Sequence, residues 1–340
     1  MFSDSKVYRD ALTAAVPENI DGAIRGKTIL VTGSTGLIGT VMIDALMQYG
    51  GCEKVIAGTR SRETAVKRFG EHMSNPGFSI AQYDLFKPFD LLEKCHYIIH
   101  LAANANPALY HTRPVDTLTG LIYGVDRLLM YCARRKGTRF VYLSSNEVYG
   151  QTDACPVCED DMGRVDILSG RSCYPMGKRA AETLCACYHQ QYGVNCVVAR
   201  ACHVYGPTMT ASDNRAASQF LKDAVDGRDI VLQSDGSAVR SYMFVSDCVN
   251  GVLTAMAKGE VAGAYNVSSD AHSILEIATA IAEIAGVNVT IPEKASGEDR
   301  GYSPIARNIV SNDKLKALGW EPQYTLQKGI AASLDVMRGK

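Results

Sequence analysis

The stretch Thr28-Ile-Leu-Val-Thr-Gly33-Ser34-Thr35-Gly36-Leu37-Ile38-Gly39 decides how this chain of 340 residues is read. Thr28–Val31 is a short β-prone run, and Val41–Tyr49 carries a helical pattern. Between them the chain is rich in glycine. Glycine lets the backbone bend tightly and lets a large anion come close to it. The N-terminus of the following helix then favours that anion's charge. Gly33, Ser34, Thr35, Gly36, Leu37, Ile38 and Gly39 are therefore expected to hold the pyrophosphate of a dinucleotide. Glycines at this spacing also serve plain strand–helix turns. The strand before and the helix after favour the ligand.

Working outward, further β-prone runs lie at Lys54–Thr59, Phe78–Tyr83, Tyr97–Leu101, Phe140–Ser144 and Asn195–Arg200. Helical patterns separate most of them. Leu118, Leu121, Ile122, Val125, Leu128, Leu129 and Cys132 form one apolar stripe. Such alternation predicts an α/β fold, a Rossmann-type doubly wound parallel sheet. Residues 1–26 predict a helical extension outside the sheet, with Val7, Ala11, Leu12 and Val16 at helical spacing. Residues 27–200 are expected to form the dinucleotide-binding unit, with a return segment near 241–262. After residue 200 turn clusters such as Gly206-Pro207 and Ser234-Asp235-Gly236 interrupt the rhythm, around helical patterns at Ala216–Asp226 and Ile274–Ala285. Residues 201–240 and 263–340 are expected to form a smaller C-terminal α/β substrate lobe over the sheet's carboxyl edge, where such folds bind ligands.

Composition bounds the class. The chain is 46% hydrophobic and 21% charged with a net charge of −1, so no strong field points to nucleic acid or a membrane surface. No segment reaches the ~18 consecutive apolar residues of a spanning helix. The N-terminus lacks the apolar core of a signal peptide, so the eleven cysteines are expected as reduced thiols in a cytoplasmic protein. Cys155-Pro-Val-Cys158 has no second pair at zinc spacing, and Cys185 and Cys187 point to different faces of a helix, so no metal is expected.

A second constellation carries chemistry. Ser144-Ser145-Asn146-Glu147-Val148-Tyr149-Gly150 ends an apolar run, and Tyr174-Pro-Met-Gly-Lys178 follows. A tyrosine four residues before a lysine on a helix shares its face. There the ammonium is expected to lower the phenol's pKa, while Ser145 orients a substrate oxygen. Ser145, Tyr174 and Lys178 would together take the proton of an alcohol as hydride leaves its carbon. Glu147 is a carboxylate that plain alcohol oxidation does not need, and it suggests a further step. Its alternative is a strand-end carboxylate bonded to backbone. At the end of the second strand stands Gly58-Thr59-Arg60-Ser61-Arg62, where NAD-binding chains commonly carry an acid. Arg60 either pairs with the 2′-phosphate of NADP or lies in solvent. Asp84 would accept a hydrogen bond from adenine.

These residues together resemble the extended short-chain dehydrogenase/reductase family, the NAD-dependent nucleotide-sugar epimerases and dehydratases. Its markers are the glycine turn, His100-Leu-Ala-Ala103, Ser145 with Tyr174 and Lys178, Tyr205-Gly-Pro207, Arg240 before Phe244-Val-Ser-Asp247, and Leu318-Gly-Trp320. Within the family the chain is most similar to UDP-glucuronate decarboxylases. That likeness runs through His100-Leu-Ala-Ala-Asn-Ala-Asn-Pro-Ala-Leu-Tyr110, Arg171-Ser-Cys-Tyr174-Pro-Met-Gly-Lys178-Arg179 and Asp213-Asn-Arg215. The resemblance implies tightly bound NAD, a nucleotide-sugar substrate, and Ser145, Glu147, Tyr174 and Lys178 as catalytic positions. It implies that Leu85, Leu101, Ala102 and Ala103 line the cofactor. Asn104, Tyr110, Asn146, His203, Arg215 and Arg240 would meet the substrate. It also implies a homodimer through a four-helix bundle of Pro114–Arg134 and Lys178–Gln191. The chain departs from the family at His203, usually asparagine, at Thr208, often arginine in the decarboxylases, and at Leu121, usually asparagine. The first two bear on the nucleotide and sugar; the third is expected to be structural. His100 is expected to be structural as well.

The family logic is oxidation at C4 of the sugar, a middle step, and reduction. A carboxylate on C5 allows loss of carbon dioxide, a hydroxymethyl allows loss of water, and rotation alone gives epimerisation. Asn146 cannot act as an acid, which weakens dehydration. Glu147 stands where simple C4-epimerases usually have a small residue. Decarboxylation is the leading expectation, with 4,6-dehydration second and epimerisation third. A dinucleotide sensor without turnover is disfavoured by the intact Ser145, Tyr174 and Lys178.

Overall fold

The computed structural model describes residues 2–16, 18–291 and 305–339. Six strands run in chain order: β1 (Thr28–Thr32), β2 (Lys54–Thr59), β3 (Phe78–Gln82), β4 (Tyr97–His100), β5 (Arg139–Ser145) and β6 (Asn195–Ala201). With Ala264–Val267 at the far edge they form one seven-stranded sheet. Its order is Ala264–Val267, β6, β5, β4, β1, β2, β3, and every pairing is parallel. All five residues of β1 are buried, as a central strand covered by helices on both faces requires. The Rossmann-type doubly wound sheet is thus present.

The chain re-enters this sheet later than the expected 241–262. The segment Val239–Phe244 belongs to a small separate sheet, and the return is made by the helix Val245–Lys258 and the strand Ala264–Val267. The small sheet joins Val239–Phe244 to Ala271–Ser273, His203–Tyr205 and Arg307–Asn308. The helices Ala216–Val225, Ile274–Ala285 and Leu326–Met337 pack with one another beside it. Helix Ile274–Ala285 begins on a reciprocal cap between Ser273 and Glu276 and ends on Gly286 at φ 76°.

The N-terminal helix Lys6–Ala15 is outside the sheet but belongs to the core. It packs on the helices Leu37–Tyr49 and Val245–Lys258 through Tyr8, Ala11, Leu12 and Ala15. Tyr8 takes the inward place, and Val7 lies only partly buried. The Tyr8 hydroxyl donates to Asp44 Oδ2 at 2.7 Å, and His72 Nε2 lies 2.9 Å from Asp44 Oδ1. Glu71 is also near His72, but both oxygens of Asp44 already have partners. Cys155 and Cys158 are exposed free thiols. Among the described residues, no helix is long and apolar enough to cross a membrane.

Candidate functional site

A cleft of about 490 Å³ opens at the carboxyl ends of the strands. Gly33, Thr35, Gly36, Leu37, Ile38 and Gly39 form one wall, and Leu101, Ala102, Ala103 and Asn104 another. Ser145, Tyr174 and Lys178 stand deeper, and Arg215 lies on the side of the small lobe. Arg60 and Leu85 line the outer end, shared with a neighbouring pocket that also holds Asp84.

The glycine turn is forced by packing. Gly33 sits at φ 69°, and a Cβ there would lie 2.7 Å from the Ala102 nitrogen. A Cβ on Gly39 would lie 2.2 Å from the Gly33 carbonyl oxygen. Gly36 is the N-cap of the helix Leu37–Tyr49, and no side chain caps it. The first-turn N–H groups of that helix therefore face the cleft wall with no side chain in front of them, which suits a pyrophosphate. Ser34 behaves differently from its neighbours. Its hydroxyl donates to the Gly58 carbonyl at 3.1 Å, tying the turn to β2, and it does not line the cleft.

Tyr174 and Lys178 lie one turn apart on the helix Cys173–Tyr192, and both are almost fully buried. Burial, joined by the charge of Glu147, pushes the Tyr174 phenol up to about 12; hydrogen bonds from Ser145 and Tyr110 oppose the rise. Burial likewise pushes the Lys178 ammonium down to about 7. Lys178 Nζ donates to the Leu143 carbonyl at 2.7 Å and sits 5.7 Å from the Tyr174 ring centre. The expected lowering of the phenol by Lys178 is therefore not what this arrangement does. The lysine is itself desolvated and anchored to β5, so its charge is costly to keep.

The phenol is held in a stack. The Tyr110 ring lies 4.6 Å from the Tyr174 ring at 20°, and the Arg171 guanidinium carbon lies 4.8 Å from the Tyr110 centre. Leu121 and Cys173 close the apolar side of this cluster. A Cβ on Gly177 would lie 2.7 Å from Leu121 Cδ1, so the leucine at 121 fills space that Gly177 leaves. Arg171 Nη2 donates to both oxygens of Glu147, at 3.1 and 2.8 Å. Burial raises the Glu147 carboxyl while Arg171 pulls it back. Glu147 is thus an ion-paired carboxylate, not one bonded to backbone. Its own backbone N–H donates to Ser145 Oγ at 3.2 Å.

Several residues expected at the substrate are placed otherwise. Asn146 is buried, accepts from Ser145 Oγ and donates to Asn308 at 3.3 Å, and does not line the cleft. It acts on Ser145 from behind. The Arg240 guanidinium donates to the carbonyls of Val239, Ala306 and Ile305. Pairing of Arg307–Asn308 with Val239–Arg240 brings those carbonyls over the side chain, so it is not held free for a diphosphate. His203 packs on Tyr242 at 5.4 Å, and burial with the charges of Arg240 and Arg215 drives its pKa down to about 3. It is a neutral ring whose Nδ1 has no hydrogen-bond partner among the described residues. Arg215 is forked onto Asp213, with Nε at 3.0 Å from Oδ1 and Nη2 at 2.6 Å from Oδ2. Asp84 Oδ1 accepts from the Phe86 N–H at 2.9 Å. Thr208 is buried, its hydroxyl on the Leu37 carbonyl at 2.7 Å. His100 is buried against Thr32 at 2.6 Å and neutral, with a pKa near 3, as a structural residue would be.

A family model described as the NAD dependent epimerase/dehydratase family matches residues 29–268. The chain belongs to that family. Its curated relatives include UDP-glucuronic acid decarboxylase 2 of Arabidopsis thaliana, 34% identical over 90% of this chain and 67% of that one. UDP-glucuronic acid decarboxylase 1 of Xenopus tropicalis is 32% identical over 92% of this chain and 72% of its own. Among solved structures, epimerase Mth375 of Methanothermobacter thermautotrophicus superimposes with a TM-score of 0.80 at 24% identity, covering 97% and 95% of the two chains. The UDP-glucuronic acid 4-epimerase of Bacillus cereus does so at 0.78 with 23% identity, covering 92% and 99%. These likenesses establish the fold.

Within the family, the uncapped helix and the glycine cradle fit NAD, and Thr59, Arg60, Ser61 and Thr64 stand at the far end of the cleft. Two residues of the site escaped the sequence reading as site positions. Asn308 comes from beyond residue 300 and has no local signal. Arg171 could have been found from its place three residues before Tyr174, but its partner could not.

Proposed function

We propose that this chain decarboxylates UDP-glucuronate to UDP-xylose, using NAD bound along the glycine turn. The observation that carries the reading lies beside Tyr174. Both Glu147 oxygens are engaged by Arg171, and Asn146, an amide where dehydration wants an acid, is turned away to Asn308. A middle step that needs no protein base suits this pairing. The resemblance to UDP-glucuronic acid decarboxylase 2 of Arabidopsis thaliana, over 90% of this chain and 67% of that one, supports the same substrate.

Bound NAD would supply the hydride acceptor, and later the donor, together with a positive charge near the phenol. Ser145 Oγ holds the C4 oxygen, and Tyr174, as phenolate, takes its proton. Lys178, anchored on the Leu143 carbonyl, keeps the strand end of β5 in place. The C4 ketone then accepts the electron pair of the C5–C6 bond as carbon dioxide departs. Tyr174 returns the proton to the C4 oxygen in the reduction. We place the reaction in the cytoplasm, a reducing compartment that eleven free cysteines suit. We also propose a homodimer through Pro114–Arg134 and Cys173–Tyr192, which pack together and leave Val115 and Tyr123 exposed.

The test is to denature the purified protein, identify the released dinucleotide, and incubate native protein with UDP-glucuronate. Product lighter by one carbon dioxide is expected. Loss of water, or an isomer of unchanged mass, overturns the proposal.

A further inference from the structure

Glu147 poses a problem for any reaction through a C4 ketone. Once C4 is oxidised, the hydrogen on C5 is acidic, because the ketone delocalises the carbanion. A carboxylate with free lone pairs beside it would remove that hydrogen, which serves dehydration or inversion at C5. The structure deals with this through Arg171. One guanidinium nitrogen donates to both Glu147 oxygens. The two side chains are 17% and 19% exposed, so water screens the pair only weakly. The guanidinium is itself fixed, stacked on Tyr110, which is stacked on Tyr174. The backbone around it is a 3₁₀ turn, Gly170–Ser172, that leads directly into the tyrosine–lysine helix. Carboxylate, guanidinium and both rings are therefore one linked assembly that ends on Tyr174, its member in the cleft wall, and the Glu147 charge is near enough to raise the Tyr174 phenol.

We propose that Arg171 is a positioning residue that sets the reaction type by keeping Glu147 from acting as the base at C5. The inference rests on the decarboxylase reading. In the middle step the C5–C6 bond breaks, its electron pair forms the C4–C5 enolate, and carbon dioxide leaves. The enolate then takes one proton from solvent at C5, so the original C5 hydrogen remains. Arg171 also keeps a positive charge near the anion being formed, so Glu147 adds no net repulsion to it.

Isotopes at C5 read this directly. Wild-type protein turning over UDP-glucuronate in D₂O should give UDP-xylose with one deuteron at C5, counted by NMR and mass. Arg171→Gln frees Glu147 and should place a second deuteron at C5 in most product molecules. Arg171→Lys keeps a cation and should restore one deuteron. Arg171→Gln with Glu147→Gln should also give one, because the base is gone. A purely structural role for Arg171 would lower the rate and leave the count at one. Two deuterons from the wild type or from Arg171→Lys overturn the proposal, as does one deuteron from an active Arg171→Gln. If Arg171→Gln does not fold, Arg171→Met, which also removes the guanidinium but keeps an unbranched side chain, is read in its place: two deuterons support the proposal and one overturns it. No release of carbon dioxide by the wild type overturns the decarboxylase reading itself, a result separate from the deuteron count.

Discussion

Gly39→Ala sets helix propensity against packing. Gly39 lies in the first turn of the helix Leu37–Tyr49, where propensity alone makes alanine better by about 1 kcal/mol. The added Cβ would lie 2.2 Å from the Gly33 oxygen, 2.7 Å from Ser34 Cα and 2.8 Å from the Ser34 carbonyl carbon. All three are backbone atoms, so no side-chain rotation relieves the clash. Gly33 has little room to retreat, because even a Cβ built on it would lie 2.7–2.8 Å from the Leu101–Ala102 backbone. Its carbonyl also accepts the Gly36 N–H at 3.1 Å, a bond that moving the carbonyl would strain. Overpacking of this kind costs about 1–3 kcal/mol, and a lost hydrogen bond about 1 kcal/mol. After subtracting the propensity gain, the net loss is about 1–3 kcal/mol. The same shift disturbs the N–H groups that face the pyrophosphate. One charge-assisted hydrogen bond is worth about 1.5–3 kcal/mol, so NAD affinity should fall by about tenfold or more. Urea unfolding of NAD-free protein measures the first effect, and calorimetric titration with NAD the second. A variant as stable as the wild type with unchanged affinity would refute the reasoning.

The remaining expectations concern the deeper site. Tyr174→Phe should abolish turnover yet keep the dinucleotide, measured by rate and by cofactor released on denaturation; substantial activity would sink the proton-transfer role. Lys178, held near 7 in the folded protein against an ordinary 10.5, binds fewer protons folded than unfolded. Its contribution to stability is therefore least below pH 7 and grows as pH rises toward the unfolded value, by about 2–3 kcal/mol between pH 6.5 and 9. Urea midpoints of wild type and Lys178→Met should diverge over that range in favour of the wild type, and parallel curves would contradict the burial argument. Arg60→Ala should weaken NADP far more than NAD if the arginine meets a 2′-phosphate; equal dissociation constants for the variant and wild type would place Arg60 in solvent.

Much of the fold was legible because it rests on local signals. β2 spans Lys54–Thr59, and the helix Ile274–Ala285 begins and ends on cap residues that can be read from the chain. The other strands differ from expectation by a residue or so at their ends: β1, β5 and β6 run longer, and β3 and β4 stop one residue sooner, as pairing with the neighbours dictates. The return to the sheet was placed too early. Val239–Phe244 has the same apolar character in either sheet, and only its partners decide which one it joins.

For the site, the amino-acid sequence by itself determined the glycine turn, the tyrosine and lysine on one helical face, and an amide beside Glu147. Those features depend on backbone conformation and on spacings of a few residues, which local chemistry controls. Tertiary structure decided what each charged group does. It buried Lys178 so that its ammonium is costly, turned Arg240 onto the carbonyls of 305–306, and withdrew Asn146 to Asn308. It also brought Arg171 to Glu147 across 24 residues of chain. Burial and ion pairing depend on distances between segments far apart in sequence. Serine, tyrosine and lysine could therefore be read from the chain as an alcohol-oxidising set, while the state of Glu147 had to wait for its neighbours.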